Sequence, residues 1–334
     1  MIYKIVLTIS LVFFLKQNDI QAQGTLPIYS DYLTDNIYLV HPSAAGIGNS
    51  GKLRLTHRQQ WSDNTEAPSL QTLSFHKRFR EKVGLGVILF NDKNGYHAQK
   101  GIQATYAYHL NFGNDDALDQ LSFGLSASYI QNSVDQRNFI SGFTPDPAVS
   151  QIVESDHYFN ADFSVAYHYI DGFIYFTTKN LLLNAQDNAK RGYKNINVRR
   201  YLLSAGHFFG WSKSVQVEPS IMFQYVEVTK EKLLDINTKI YKTFGNHKRA
   251  FVAVSYRRSL DKNVVQSFNQ ITPILGLESQ RYIVSYTYSH QLGKITFQNG
   301  GFHQITLGMN LMLRRPKDRG YVPNYNHLMY KNDN

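Results

Sequence analysis

The sequence predicts an all-β chain, a transmembrane antiparallel up-and-down β-barrel of about fourteen strands, and three observations carry that expectation. Apolar and polar residues alternate with a period of two: in GIQATYAYHL (101–110), Ile102, Ala104, Tyr106, Tyr108 and Leu110 share one strand face, and Gln103, Thr105, Ala107 and His109 the other. The composition suits strands, with 23 Tyr, 21 Phe and 22 Gly set among Ser, Thr, Asn and Gln. Beyond the N-terminus no stretch approaches the roughly 18 uncharged apolar residues of a membrane helix, so a membrane protein of this sequence crosses with strands.

Taken in order, residues 1–22 carry one early lysine, an apolar run from Ile5 to Leu15 and a polar stretch ending at Ala22. This reads as a secretory signal cleaved near Ala22, because the run is too short to span a bilayer. Residues 23–50 show no sustained period and are expected to be an irregular N-terminal segment. The barrel is assigned to 51–313, with strands near 51–61, 69–79, 83–91, 98–110, 120–131, 157–170, 172–179, 198–209, 214–227, 231–243, 249–259, 264–272, 281–291 and 302–313. Residues 314–334 are left as a C-terminal periplasmic tail.

Connection lengths support a barrel over a soluble sandwich. In even-stranded outer-membrane barrels the turns after even-numbered strands are short. Here the longest connections, 132–156 and 180–197, follow strands five and seven, and the tight Asp171-Gly172 turn follows strand six. Against the rule, 273–280 makes a long connection after strand twelve. Aromatic pairs near strand ends, Tyr106/Tyr108, Tyr167/Tyr169, Phe208/Phe209 and Tyr286/Tyr288, resemble interfacial girdles, although cross-strand packing would use the same residues.

The chain has no cysteine, so an exported fold is held by sheet and burial alone. Its net charge of +10 is read as a solvated or lipid-phosphate-facing surface; export argues against nucleic acid. The histidines lack metal-ligand spacing, and His109, His168 and His303 read as hydrogen-bonded wall residues. Asp115 and Asp116 sit in a Gly-Asn-Asp turn, where aspartate bonds its own backbone. No nucleophile elbow or phosphate loop is present, so no catalytic residue, metal or cofactor is expected. A barrel hydrolase with residues on neighbouring strands stays a distant alternative.

The segment 58–79 departs from generic wall. Arg58 and Trp61 end one strand and Pro68 closes the following loop; Arg beside Trp offers charged hydrogen bonding and a flat apolar surface. The plain alternative is that Trp61 anchors at the interface while Arg58 snorkels. In the long polar loop 132–156, Phe139, Phe143, Pro145 and Pro147 are further candidate contacts.

At these residues the chain resembles the PorP/SprF family of outer-membrane proteins associated with type IX secretion. The resemblance rests on HPSAAG (41–46), RQQW (58–61), EAP (66–68), TLSFH (72–76), GLGVILFNDKNG (84–95), ATYAYHL (104–110), LSFGLSASY (121–129), FVAVSYRRSLD (251–261), YIVSYTYSH (282–290) and HQITLGMNL (303–311). His41, Ala44 and Glu66 depart from the family pattern. The resemblance implies a non-enzymatic barrel that binds or retains a large secreted surface protein, an adhesin, through its type IX C-terminal domain during secretion and gliding. Other secretion components and outer-membrane lipid are further expected partners. A passive channel for small solutes is the rival, and a lumen blocked by residues 24–50 would count against it.

Overall fold

The computed structural model describes residues 33–60, 67–112, 118–137, 152–182, 199–212, 214–244, 248–261, 269–292 and 301–313. Among them lie fifteen strand segments: β1 (Gly51–Gln60), β2 (Ser69–Arg78), β3 (Val83–Asn94), β4 (His97–Asn111), β5 (Asp119–Asp135), β6 (Val153–Tyr169), β7 (Gly172–Lys179), β8 (Arg200–His207), β9 (Phe209–Ser212), β10 (Val215–Val226), β11 (Lys232–Thr243), β12 (Lys248–Ser259), β13 (Asn269–Ser279), β14 (Tyr282–Leu292) and β15 (Phe302–Leu311). Neighbours in the chain pair antiparallel, and β15 returns to β1 in continuous register from Gly51↔Leu311 to Gln60↔Phe302. The sheet therefore closes, and no edge is left along the seam.

β8 and β9 both pair with β10, so together they form one stave of a fourteen-stranded barrel. The break between them has a chemical cause. β8 ends its ladder at Gly206↔Ser220 and β9 resumes at Phe209↔Val217, so the gap lies across Pro219, which has no N–H to donate.

The wall is oily outside and mainly polar within. Ile102 and Tyr106 on β4 are 45% and 50% exposed, whereas Gln103 and His109 on its other face are 3% and 0% exposed. The same division runs around the ring, with Leu55, Leu125, Phe163, Val252, Leu275 and Leu307 outward and Thr56, Ser126, Ser164, Ala253, Ile274 and Thr306 inward. Closed ladders satisfy the backbone without a second sheet packed on the first.

Two expectations need correction. Strand twelve runs over Asn269–Ser279 rather than 264–272. Pro273 suggests a strand end, yet it lies mid-strand opposite Val254, and the β13–β14 ladder skips from Ile271↔His290 to Ile274↔Thr287 around it. With β13 placed there, the connection to β14 shrinks to residues 280–281 and this departure from the parity rule disappears. Second, Phe208 and Phe209 do not share a girdle: Phe208 is buried in the lumen and Phe209 is 53% exposed on the outer wall, as a period of two requires.

The two ends of the barrel differ. At one end the links 79–82, 170–171, 213–214, 244–247 and 280–281 are short and 112–118 is longer, and both the start of β1 and the end of β15 lie there. At the other end, 61–68, 136–152, 180–199, 260–268 and 293–301 are longer, with 95–96 and 227–231 the exceptions. In outer-membrane barrels the short-turn end faces the periplasm and the long loops face outward.

Candidate functional site

The site is the lumen, and its main occupant is the chain's own N-terminal segment. Residues 33–48 have no strand period and fold into two 3-10 turns, η1 (Ile37–Leu39) and η2 (Pro42–Ala44), with Pro42 opening the second. Tyr38, Val40, His41, Ser43, Ala44 and Ala45 are 0–1% exposed. A segment this irregular leaves many backbone groups without intrachain partners, and inside a membrane-spanning shell the wall must supply them.

The wall does so with cations and histidines. Lys239 of β11 donates to the Leu33 carbonyl at 3.0 Å and Lys179 of β7 to that of Leu39 at 3.2 Å. His109 Nε2 donates to the Ala45 carbonyl at 3.0 Å, and Arg78 Nε to that of Gly46 at 3.0 Å. The Gly46 N–H in turn donates to His76 Nδ1 at 2.9 Å. The partners come from β2, β4, β7 and β11, so the segment is tied across the lumen rather than to one side.

Side chains of the segment complete the seal. Asn36 donates to Ser74 at 3.0 Å, Tyr38 to Thr105 at 2.9 Å, and Ser43 pairs with Ser164 at 2.7 Å. His41 lies between Thr177 at 2.7 Å and Ser204 at 2.8 Å and stacks on Tyr175 with centroids 4.8 Å apart. Burial, aided by the Lys179 charge, lowers the His41 pKa to about 3, so the ring is neutral at ordinary pH. Asp35 accepts from Arg54 at 2.9 Å and faces Lys52 at 3.4 Å. Burial alone would raise its carboxyl, but Lys52, Arg54 and Lys239 outweigh that and hold it well below the usual carboxylate range.

Close approach of this segment depends on glycines in the wall. A Cβ on Gly84 would lie 2.0 Å from the Ala45 carbonyl oxygen, and one on Gly124 would lie 2.3 Å from the Ser43 nitrogen. Both fall on the lumen face, where a side chain would occupy the space that η2 fills.

Toward the long-loop end the lumen carries a buried bidentate pair, Arg257 on Asp235 at 2.7 Å through each nitrogen. Arg58 also faces the lumen there, 5% exposed, with its guanidinium 4.0 Å above the Phe302 ring. Its even-numbered position on β1 directs it inward, so it does not snorkel along the outer wall. Pro68 is half-buried at the same end, its carbonyl accepting from Gln60 N–H at 2.9 Å. Trp61, Phe139, Phe143, Pro145 and Pro147 lie outside the described residues, as do Asp115 and Asp116, the signal segment and the tail 314–334. His109 and His168 are lumen wall residues, while His303 is exposed on the outer face and bonded to the Tyr286 hydroxyl at 2.6 Å.

Sequence reasoning did not single out the groups that hold the segment: Asp35, His41, Arg54, Arg78, Lys179 and Lys239. A signal for them was present. Four of these are cations on the polar face of strands, and Gly84, Gly86 and Gly124 fall on the same face, a pattern that an empty polar lumen does not need.

A family described as type IX secretion system membrane protein PorP/SprF matches residues 21–309. No curated protein sequence matches. Solved structures with a similar course include a FadL homologue from Pseudomonas aeruginosa, 9% identical over 82% of this chain and 93% of that one, with a TM-score of 0.45. BamA from Haemophilus ducreyi is 10% identical over 79% of this chain and 70% of that one, with a TM-score of 0.41. The KdgM porin is 10% identical over 77% of this chain and 98% of that one, with a TM-score of 0.34. With a match across most of its length and a closed fourteen-stranded wall, the chain belongs to the PorP/SprF family of type IX secretion membrane proteins and resides in the outer membrane.

Proposed function

We propose that the protein is a non-enzymatic receptor of the type IX route, holding a large secreted surface protein, an adhesin of gliding, by that protein's C-terminal domain. The observation that carries this reading is the filled lumen. A segment bonded to wall residues of many strands leaves little room for solute flow, which counts against a passive channel and leaves the long-loop end as the working surface. Arg58, Trp61, Pro68, Phe139, Phe143, Pro145 and Pro147 are the proposed contacts, and residues 1–22 are proposed to be removed on export. Deleting the gene should release the surface protein into the medium; cells that keep it would overturn the reading. Gentle-detergent co-purification from wild-type cells should recover that protein together with secretion components.

A further inference from the structure

β6 is taller than the strand that follows it. Its ladder with β5 runs from Asp119↔Tyr169 to Asp135↔Val153, whereas its ladder with β7 stops at Phe163↔Thr178. A tilted strand crosses the hydrocarbon in about 9–11 residues, so from the tight turn at 170–171 β6 leaves the membrane near Phe159. Above that point, among the described residues, no strand pairs with Val153–Phe159 on the side facing β7.

The termination is built by side chains. Asn180 has φ of 61°, which turns the chain out of the β7 line. Its N–H donates to Asp162 Oδ1 at 2.9 Å, and its side chain accepts from Asn160 Nδ2 at 2.9 Å. Leu182 N–H then bonds the Asn160 side chain at 3.2 Å.

Among the described residues this edge has no partner strand, and its groups can be named one by one. The Ala161 carbonyl accepts from Leu181 N–H at 2.8 Å, so Ala161 and the alternate residues above it, Phe159, His157, Ser155 and Val153, direct N–H and C=O away from β5. Two of these donors are capped by the preceding side chain: Ala161 N–H by Asn160 Oδ1 and His157 N–H by Asp156 Oδ1, each at 2.8 Å. A carboxylate stands where a partner strand's carbonyl would.

We infer that Val153–Phe159 of β6 is an acceptor edge for an extended basic strand of the secreted partner, added by backbone hydrogen bonds. Glu154 and Asp156 lie on one face of this edge, and Val153 and Phe159, 45% and 64% exposed, on the other. An incoming strand with Lys or Arg at every second position and apolar residues between would match both faces and would draw Asp156 off the His157 N–H. Two copies of this edge would set Glu154 and Asp156 against their like, which disfavours self-pairing. The inference deepens the receptor reading and rests on it.

The test uses the purified full chain in detergent and a synthetic peptide of roughly eight residues alternating lysine and valine, long enough to span the edge. Expected are saturable binding and slowed hydrogen exchange at the His157 and Phe159 amides. A peptide methylated on alternate backbone nitrogens should bind about tenfold or more weakly, because it keeps the charges and loses the ladder. His157→Pro should weaken binding by a similar factor while the barrel still migrates folded, since that N–H faces away from β5 and bonds the Asp156 side chain rather than the β5 ladder. Asp156→Asn should weaken it less and flatten its salt dependence. Equal binding of the methylated peptide would overturn the proposal by reducing it to charge adsorption. Edge amides already protected without peptide, and exposed on shortening 183–198, would overturn it by showing the chain's own connection on the edge. Neither result touches the receptor reading, which fails only if gene deletion leaves the surface protein on cells.

Discussion

The two ends of this barrel solve opposite problems. At the short-turn end the links are tight and the lumen is filled by residues 33–48, with charges and histidines of the wall turned inward onto one irregular segment. At the long-loop end the connections lengthen, and β6 of the β5–β6 hairpin rises beyond β7 with an edge that its own side chains cap. The contrast teaches where each half can vary. The filled half depends on many interlocked contacts, whereas the upper part of β6 is held, among the described residues, by its ladder with β5.

That contrast can be broken most severely at Gly84. Gly84→Leu would place a side chain where the Ala45 carbonyl lies and should expel the segment outright, giving a large stable conductance in planar bilayers and rapid proteolysis within 33–50, with the wall intact. Asp35→Ala leaves Arg54, whose side chain is 0% exposed, without its carboxylate. Removing one partner of a buried pair costs about 3–5 kcal/mol, so the same two assays should show frequent opening. Leu125→Arg, on the outer face where Leu125 is 55% exposed, should instead destabilise the whole barrel by about 2–4 kcal/mol, read as a lower denaturant midpoint with the segment still protected. Ser→Ala changes on the outer end of the hairpin should do neither.

The mildest perturbation is pH. His41 has a folded pKa of about 3 against about 6.5 when freed. Its folded value is depressed, so the freed state binds more protons in that window; seating is fully stabilised above pH about 6.5 and weakens as pH falls toward 3. Near pH 5 the loss is about 2 kcal/mol, taking about 1.4 kcal/mol per unit. Hydrogen-exchange protection factors at Leu39 and Val40, taken against the intrinsic rate at each pH, should fall accordingly, and His41→Gln should remove most of the slope.

Much of the wall was legible from residues alone because strand facing is a local property. A period of two assigns Ile102 and Tyr106 outward and Gln103 and His109 inward without knowing what either face meets. Legibility failed where a single residue carried two meanings. Pro273 reads as a terminator, and only the neighbouring ladders show that its missing donor falls in a two-residue gap that β13 tolerates. The site was less legible still. Arg58 stood out beside Trp61, yet its partner Phe302 is supplied by the last strand, which closure brings alongside the first.

By itself, then, the sequence determined the alternation, the approximate strand number and the asymmetry of the connections, all set by neighbours a few residues apart. The filling of the lumen was decided by tertiary structure. Its bonds join Leu33 to Lys239 and His41 to Ser204, and such distant groups meet only after the ring has closed and set its inward face against a segment with no period of its own.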